Sequence, residues 1–289
     1  MKNIGNFIRE LRIAKNYSLE ELSKGIMTKS FLSKVERGKS DLTSENLFKI
    51  IDRLNVTFHE LNHFHSTSQD NNQADFLTEF QYARKNNNKF LMKKLAEKET
   101  ELFITSRNVR HLHNSIILEQ RINQIENKSF DTSKTEKIIQ YLLSIDEWTY
   151  YEITVFSNSM FFFNIEQINF FSNLVLKKTE KISNYLIYKY EIHILLTNII
   201  VNFTRKNHIS YALKLIKQLE NSLDNPIDYY SRIKIKFFEG VCLIKENKLN
   251  EGLLLAEKSI KILYNLDDFT NAKIYQDYLD ETLKSLSLK

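Results

Sequence analysis

Glycine, proline and cysteine are nearly missing from this 289-residue chain, which holds five Gly, one Pro and one Cys. Tight hairpins and phosphate-cradling loops need glycine and proline, so a sheet-rich fold is disfavoured and a mostly helical one is expected. Neither a Gly-x-x-x-x-Gly-Lys loop nor a Gly-x-Gly-x-x-Gly fingerprint occurs, which leaves nucleotide binding without support. The lone cysteine, Cys242, excludes an internal disulfide and a multi-cysteine metal site and suits a reducing compartment. It lies in the apolar run Gly-Val-Cys-Leu-Ile, the setting of a small core residue and not of a nucleophile. Long apolar runs are absent too. The most apolar windows, near Phe161 and Ile194, are broken by polar residues well short of a membrane span. The opening Met1-Lys2-Asn3-Ile4 lacks the stretch of a secretory leader. A cytoplasmic protein with no membrane partner is therefore expected. His59, His63 and His65, and separately His111 and His113, are the metal-like clusters, and no carboxylate or cysteine joins the first at a ligand spacing. No metal and no cofactor are expected. No carboxylate pair stands out from surface charge, so no enzyme is expected.

What is present is helical periodicity. Hydrophobic residues make up 42% of the chain and charged residues 27%, the balance of an ordinary folded protein. The net charge of +5 is modest, but residues 1–65 hold 11 Lys/Arg against 8 Asp/Glu. That concentration at one end points to a polyanion there. Residues 4–61 read as five short helices. Ile4, Phe7, Ile8 and Leu11 mark the buried face of the first. Ser18 and Glu21 form a capping box ahead of Leu19, Leu22 and Ile26. Thr28 caps a third helix that turns Leu32 and Val35 inward and stops at Gly38. A fourth runs from Ser44 to Leu54, and Thr57 with Glu60 caps a fifth. Turning Leu32 and Val35 inward leaves Lys29, Ser30, Ser33 and Lys34 outward.

The polar stretch Asn62–Gln73 reads as a boundary, giving a head over 1–65, a linker over 66–73 and a second domain over 74–289. In the latter, Asn- and Lys-rich breaks near Asn87, Lys128, Asn164, Asn207 and Asn247 recur every 36–43 residues, a period near that of helix-pair repeats. Leu213–Leu219 after one break matches Leu253–Ile260 after another. Gly240, Gly252 and Ala256 mark a place where two helices can approach closely. The fold expected is all-α: a five-helix helix-turn-helix head, then a right-handed solenoid of about five degenerate helix pairs similar to tetratricopeptide repeats.

The segment from Ser18 to Gly38, with Leu-Ser-Lys-Val-Glu-Arg-Gly as its second helix, resembles the helix-turn-helix of phage-repressor-like regulators. By that resemblance Lys29, Ser30 and Lys34 meet base edges. Thr28, Arg37 and Lys39 hold phosphates, and Ser18 brings a helix N-terminus towards another. Arg12 and Glu36 form a structural ion pair. Phe31, at a position normally small or polar, either touches a thymine methyl or packs against the linker. Together with the repeats, the chain resembles the Rgg regulators (also called MutR or GadR). The most specific C-terminal element is Leu142–Ile153, with Trp148 and Tyr150-Tyr151-Glu152. The resemblance implies a homodimer that binds paired DNA sites as an inverted repeat in a promoter, uses a concave repeat surface to bind a short hydrophobic signalling peptide, and works with RNA polymerase. Candidate peptide contacts are the polar stripe Asn198, Asn202 and Arg205, spaced i, i+4, i+7, with Asn158 and with apolar pockets from Phe162, Phe237 and Phe238. Where some relatives have a basic residue after the Asn158 position, this chain has Phe161. Two other readings compete: repeats that bind a protein partner, and a repressor with no peptide effector.

Overall fold

The computed structural model describes residues 4–57, 60, 73–180, 186–220 and 229–287. These residues form fifteen α-helices and one 3-10 turn, with no strand among them. Two compact units, 1–88 and 89–289, divide the chain.

The first unit contains α1 (Ile4–Ala14), α2 (Leu19–Ser23), α3 (Lys29–Glu36), α4 (Ser44–Arg53) and α5 (Gln73–Lys85). Ile8, Leu22, Leu32, Ile50 and Leu54 are its fully buried centre. They come from four helices, so each short helix is held by tertiary burial and not by its own propensity. The capping residues read from the sequence sit where expected: Ser18 Oγ accepts from Glu21 N at 3.1 Å and Thr28 Oγ1 from Phe31 N at 3.2 Å. The expected fifth head helix lies almost entirely outside the described residues. Its capping pair is placed, with Thr57 Oγ1 accepting from Glu60 N at 3.2 Å. The expected linker also lies outside them, apart from Gln73. That residue opens α5, and α5 groups with the first unit, whereas the sequence put the start of the repeats at residue 74. An amphipathic pattern declares a buried face but not the body that buries it.

The second unit runs α6 (Lys89–Ser106), α7 (Val109–Ile125), α8 (Thr132–Ser144), α9 (Tyr150–Ser159), the 3-10 turn (Met160–Phe162), α10 (Ile165–Lys178), α11 (Leu186–Arg205), α12 (Ile209–Glu220), α13 (Tyr229–Lys245), α14 (Leu249–Asn265) and α15 (Phe269–Ser287). α6 packs on α7, α11 on α12 and α13 on α14 as successive pairs. A second set of contacts joins α9 to α11, α11 to α13 and α13 to α15, so the first helices of neighbouring pairs form one row. The pair α13–α14 is pinned by backbone contact. A Cβ on Gly240 would fall 2.6 Å from the Gly252 carbonyl oxygen, and one on Gly252 would fall 2.5 Å from that of Gly240. No larger residue fits there.

The scarcity of glycine is met by asparagine. Left-handed backbone occurs at Asn16, Asn55, Asn87, Asn127, Asn207 and Asn247, with φ from +47° to +66°. Each ends a helix, and the next amide reaches back five residues: Asn88 N to Ala83 O at 2.8 Å, Lys128 N to Asn123 O at 2.8 Å, His208 N to Phe203 O at 2.9 Å and Lys248 N to Leu243 O at 3.0 Å. Asparagine tolerates this conformation better than other non-glycine residues. The Asn-rich breaks in the sequence are thus helix stops. Asn164 is the exception: it is the N-cap of α10, accepting from Gln167 N at 2.8 Å.

The Trp-Tyr-Tyr-Glu element is a structural knot. Trp148 is fully buried against Phe156 and Phe171, its Nε1 donating to Leu142 O at 3.1 Å and its backbone N to Lys178 O at 2.7 Å. Tyr151 Oη lies 2.8 Å from His113 Nδ1, and Glu152 accepts from Tyr141 Oη at 2.6 Å and from Thr149 N at 2.8 Å. The element therefore ties α7, α8 and α9 together. Cys242 is buried beside the Thr204 hydroxyl, and burial pushes its thiol up to about 11, the state of an inert core thiol.

Candidate nucleic-acid interface and ligand groove

Recognition by a helix-turn-helix requires one helix to offer a polar face while its other face is gripped from behind. The structure supplies that grip to α3. Leu32, Val35 and Glu36 are buried, while Thr28, Lys29, Ser30, Lys34, Arg37 and Lys39 are exposed and Ser33 is half-buried. Arg12 of α1 and Glu36 of α3 meet as a bidentate pair: Nε to Oε1 at 2.6 Å and Nη2 to Oε2 at 2.9 Å. Nη1 of the same guanidinium donates to Tyr17 O at 2.9 Å. The α1 backbone lies against the end of α3 at Gly5, where a Cβ would fall 1.9 Å from Val35 O. Two residues that sequence reasoning missed are therefore part of the mounting: Gly5 and Arg53. Arg53, in the last turn of α4, donates from Nη1 to Leu22 O at 3.1 Å and also to Lys24 O. It thus caps the end of α2, next to the turn into α3. Neither had a pattern to betray it, since a lone Gly in a helix and an Arg near a helix end are both commonplace.

The outward groups are not all equally free. Ser18 Oγ is occupied by the Glu21 amide, and Glu21 Oε2 accepts from Ser18 N at 2.7 Å. Glu20 lies 3.8 Å from Lys29 Nζ. Two carboxylates thus stand at the start of α2, opposing a phosphate there, and Lys29 is partly offset. Arg37 Nε donates to Ser33 O at 3.0 Å, laying that side chain back along α3. Phe31 is half-buried.

In the second unit, Asn198, Asn202 and Arg205 lie along α11 as the spacing predicts, and two unpredicted residues join them. Lys234 of α13 donates from Nζ to Asn198 Oδ1 at 3.0 Å, and Arg205 lies over the Tyr278 ring of α15 at 5.7 Å. Asn202 Oδ1 is buried with no hydrogen-bond partner among the described residues. The cluster spans three neighbouring helices of one row. Lys234 was hidden because it alternates with buried Ile233 and Ile235 in a segment of α13, where a lysine reads as solvated. The aromatic expectations need correction. Phe162, Phe237 and Phe238 are 5%, 0% and 4% exposed. Phe237 stacks on Tyr275 at 4.4 Å, and Phe162 meets Phe163 edge to face at 5.3 Å. Burial between helices takes the faces a ligand would need, so these are core residues. Asn158 is half-buried in the last turn of α9. Phe161, in the place of a basic residue, carries one from elsewhere: the Arg121 guanidinium of α7 sits 3.6 Å from its ring centroid.

A gripped recognition helix in one unit and a row of paired helices in the other define a helix-turn-helix regulator of the helical-repeat class. Family models agree for both parts: a helix-turn-helix model matches residues 8–61, and the model of the C-terminal domain of HTH-type transcriptional regulator Rgg matches residues 89–277. The chain belongs to the Rgg family and is a DNA-binding transcriptional regulator, not an enzyme. Among solved structures, a protein described as a transcriptional regulator from Listeria monocytogenes EGD-e matches at 25% identity and a TM-score of 0.86, over 99% of this chain and 98% of that one. The SHP pheromone receptor Rgg2 of Streptococcus dysgalactiae matches at 19% identity and a TM-score of 0.80, over 96% and 99%. PrgX in its complex with cCF10 matches at 19% identity and a TM-score of 0.75, over 98% and 93%. No helix among the described residues is long and apolar enough to cross a membrane.

Proposed function

We propose that this regulator is a cytoplasmic homodimer that reads an inverted repeat in a promoter through α3 and is controlled by a short, largely hydrophobic peptide held along the α9–α11–α13–α15 row. The observation that carries the peptide reading is the Asn198, Asn202, Arg205 and Lys234 cluster, whose buried acceptor Asn202 Oδ1 has no hydrogen-bond partner among the described residues. An extended peptide has free backbone donors and acceptors, and amide side chains answer both. Rgg2, named as a pheromone receptor, and PrgX, solved in complex with cCF10, share the fold. The exposed apolar residues Leu254, Leu266, Phe269 and Ile274 on and beside α14 and α15 supply a surface for a second copy. In a dimer, two α3 helices spaced about 34–36 Å apart would enter successive major grooves on one DNA face. The proposed division of labour gives residues 1–65 to DNA, the segment around 66–73 to the connection, and the residues from 74 onward to peptide and partner.

Fluorescence anisotropy with the full chain and the DNA upstream of its own gene tests the head. At fixed salt Lys34→Ala should weaken binding about tenfold or more and relax sequence preference, as loss of a base contact does. Unchanged binding would remove α3 as the reading element. For the peptide, calorimetry with candidates encoded by short reading frames beside the gene should give saturable binding that weakens in Asn202→Ala. Equal binding by that variant would displace the site from α11.

A further inference from the structure

Lys234, like Lys206, is a lysine whose charged form burial disfavours. Its ammonium is withdrawn from water between α11 and α13, and burial, with the Arg205 charge beside it, holds its pKa below the ordinary lysine range. An ammonium has three donors, and among the described residues it makes one hydrogen bond, to the neutral oxygen of Asn198. Among the described residues no carboxylate lies within ion-pair distance of Lys234 or Arg205, although Lys236, one turn face away on the same helix, is bridged by both Glu220 and Glu239. Burying a cation without a counter-charge is costly, and a second cation nearby adds to the cost. Next to these two donors stands the reverse deficiency, the orphaned acceptor Asn202 Oδ1. The cluster thus presents two positive donor groups and one acceptor.

We propose that the Lys234–Arg205–Asn202 cluster is a carboxylate subsite, and that the peptide this regulator recognises carries a carboxylate seated there. This rests on the peptide-binding reading above and adds the charge of the ligand to it. The carboxylate accepts from Lys234 and Arg205, while an adjoining backbone N–H donates to Asn202 Oδ1. A carboxylate two or three bonds from an amide nitrogen has two sources, the free C-terminus of a peptide and an aspartate side chain. The chemistry at the protein is the same for both. Asn198 positions Lys234 and is itself spared the ligand's charge.

The test uses the full-length protein and three synthetic pools of hexapeptides built from Leu, Ile, Val and Phe. One pool is blocked at both ends, one has a free C-terminal carboxylate with an acetylated N-terminus, and one is blocked at both ends with a single aspartate. Charge-assisted hydrogen bonds should make one of the carboxylate pools bind about tenfold or more tighter than the uncharged pool. The pool that wins identifies the source. In Lys234→Met that advantage should vanish, and in Lys234→Arg it should persist. Arg205→Gln, at an exposed site, should reduce it and serves if Lys234→Met does not fold. Equal binding of all three pools, or a carboxylate preference unaltered in both Lys234→Met and Arg205→Gln, overturns the subsite while leaving peptide binding in place. Failure of every pool to bind overturns the peptide reading and the subsite with it.

Discussion

Removing the Arg12 guanidinium isolates the grip on the recognition helix. Glu36 is 4% exposed and holds two of the three hydrogen bonds that Arg12 makes, at 2.6 and 2.9 Å. Arg12→Met keeps much of the apolar stem and leaves the Glu36 carboxylate buried without its partner. Breaking a buried pair from one side costs about 3–5 kcal/mol, and the 13% exposure of Arg12 argues for the lower end, about 3 kcal/mol. The paired variant Arg12→Met/Glu36→Leu removes both charges and should recover most of that loss, because no charge is stranded. Trp148 is the one tryptophan and lies in the second unit, so its fluorescence is blind to the head. Hydrogen exchange of the α1 and α3 amides reads the head directly. A loss of about 3 kcal/mol accelerates exchange there roughly a hundredfold while α13 and α14 stay unchanged. DNA affinity should fall with it, although neither residue touches DNA in this account. The reasoning fails if Arg12→Met shifts exchange by less than about twofold, or if the double variant is as damaged as the single one, since coupling is what distinguishes a pair from two neighbours.

Other consequences are simpler to read. Gly5→Ala places a methyl 1.9 Å from Val35 O, so α1 must shift off α3; the gain of about 1 kcal/mol in helix propensity is overwhelmed, and both α3 protection and DNA binding should drop. At Asn247, with φ +66°, Gly should stabilise by roughly 0.5–1 kcal/mol and Ala should destabilise by a similar amount, measured as urea midpoints by Trp148 fluorescence. Burial holds the His113 imidazole down at about 4, against an ordinary 6.5. Its neutral form is therefore a full source of stability above about pH 6.5. The unfolded chain takes up the proton first as pH falls, so stability declines between about pH 6.5 and 4, by on the order of 3 kcal/mol in all. His113→Phe should flatten that decline, and an unchanged pH profile would mean that other groups carry it.

Local rules were the legible part of this sequence. The caps at Ser18, Thr28 and Thr57 and the inward Leu32 and Val35 all rest on neighbours within a turn or two. They appear in the structure at those residues. The repeat period was visible because so few glycines left many helix ends to asparagine, which marked the stops at Asn87, Asn127, Asn207 and Asn247. Features made between distant segments were not legible. Arg53 at the end of α2, Gly5 under Val35 and Arg121 over Phe161 each join residues more than 25 positions apart. The aromatic pockets misread for a related reason. Phe237 and Phe238 fall at adjacent positions on α13, so periodicity lets only one face the core, yet α13 is covered by α11, α14 and α15 and buries both.

That same enclosure of α13 explains why the Lys234 cluster is informative. A helix packed on several sides has little room for solvent, and the folded state elsewhere supplies a partner for nearly every buried polar group, as at Glu152, Glu99 and Gln120. Leaving Asn202 Oδ1 unsatisfied costs about 1–3 kcal/mol, and a half-dehydrated ammonium adds to it. Each of these groups would be satisfied in a state that brings an acceptor to Lys234 and a donor to Asn202. On the reading proposed above, that state is the peptide-bound one. That penalty is then returned on binding. A ligand shifts an equilibrium by no more than its difference in affinity for the two states. An unsatisfied polar cluster shared by three neighbouring helices of one row is a direct way to make that difference large.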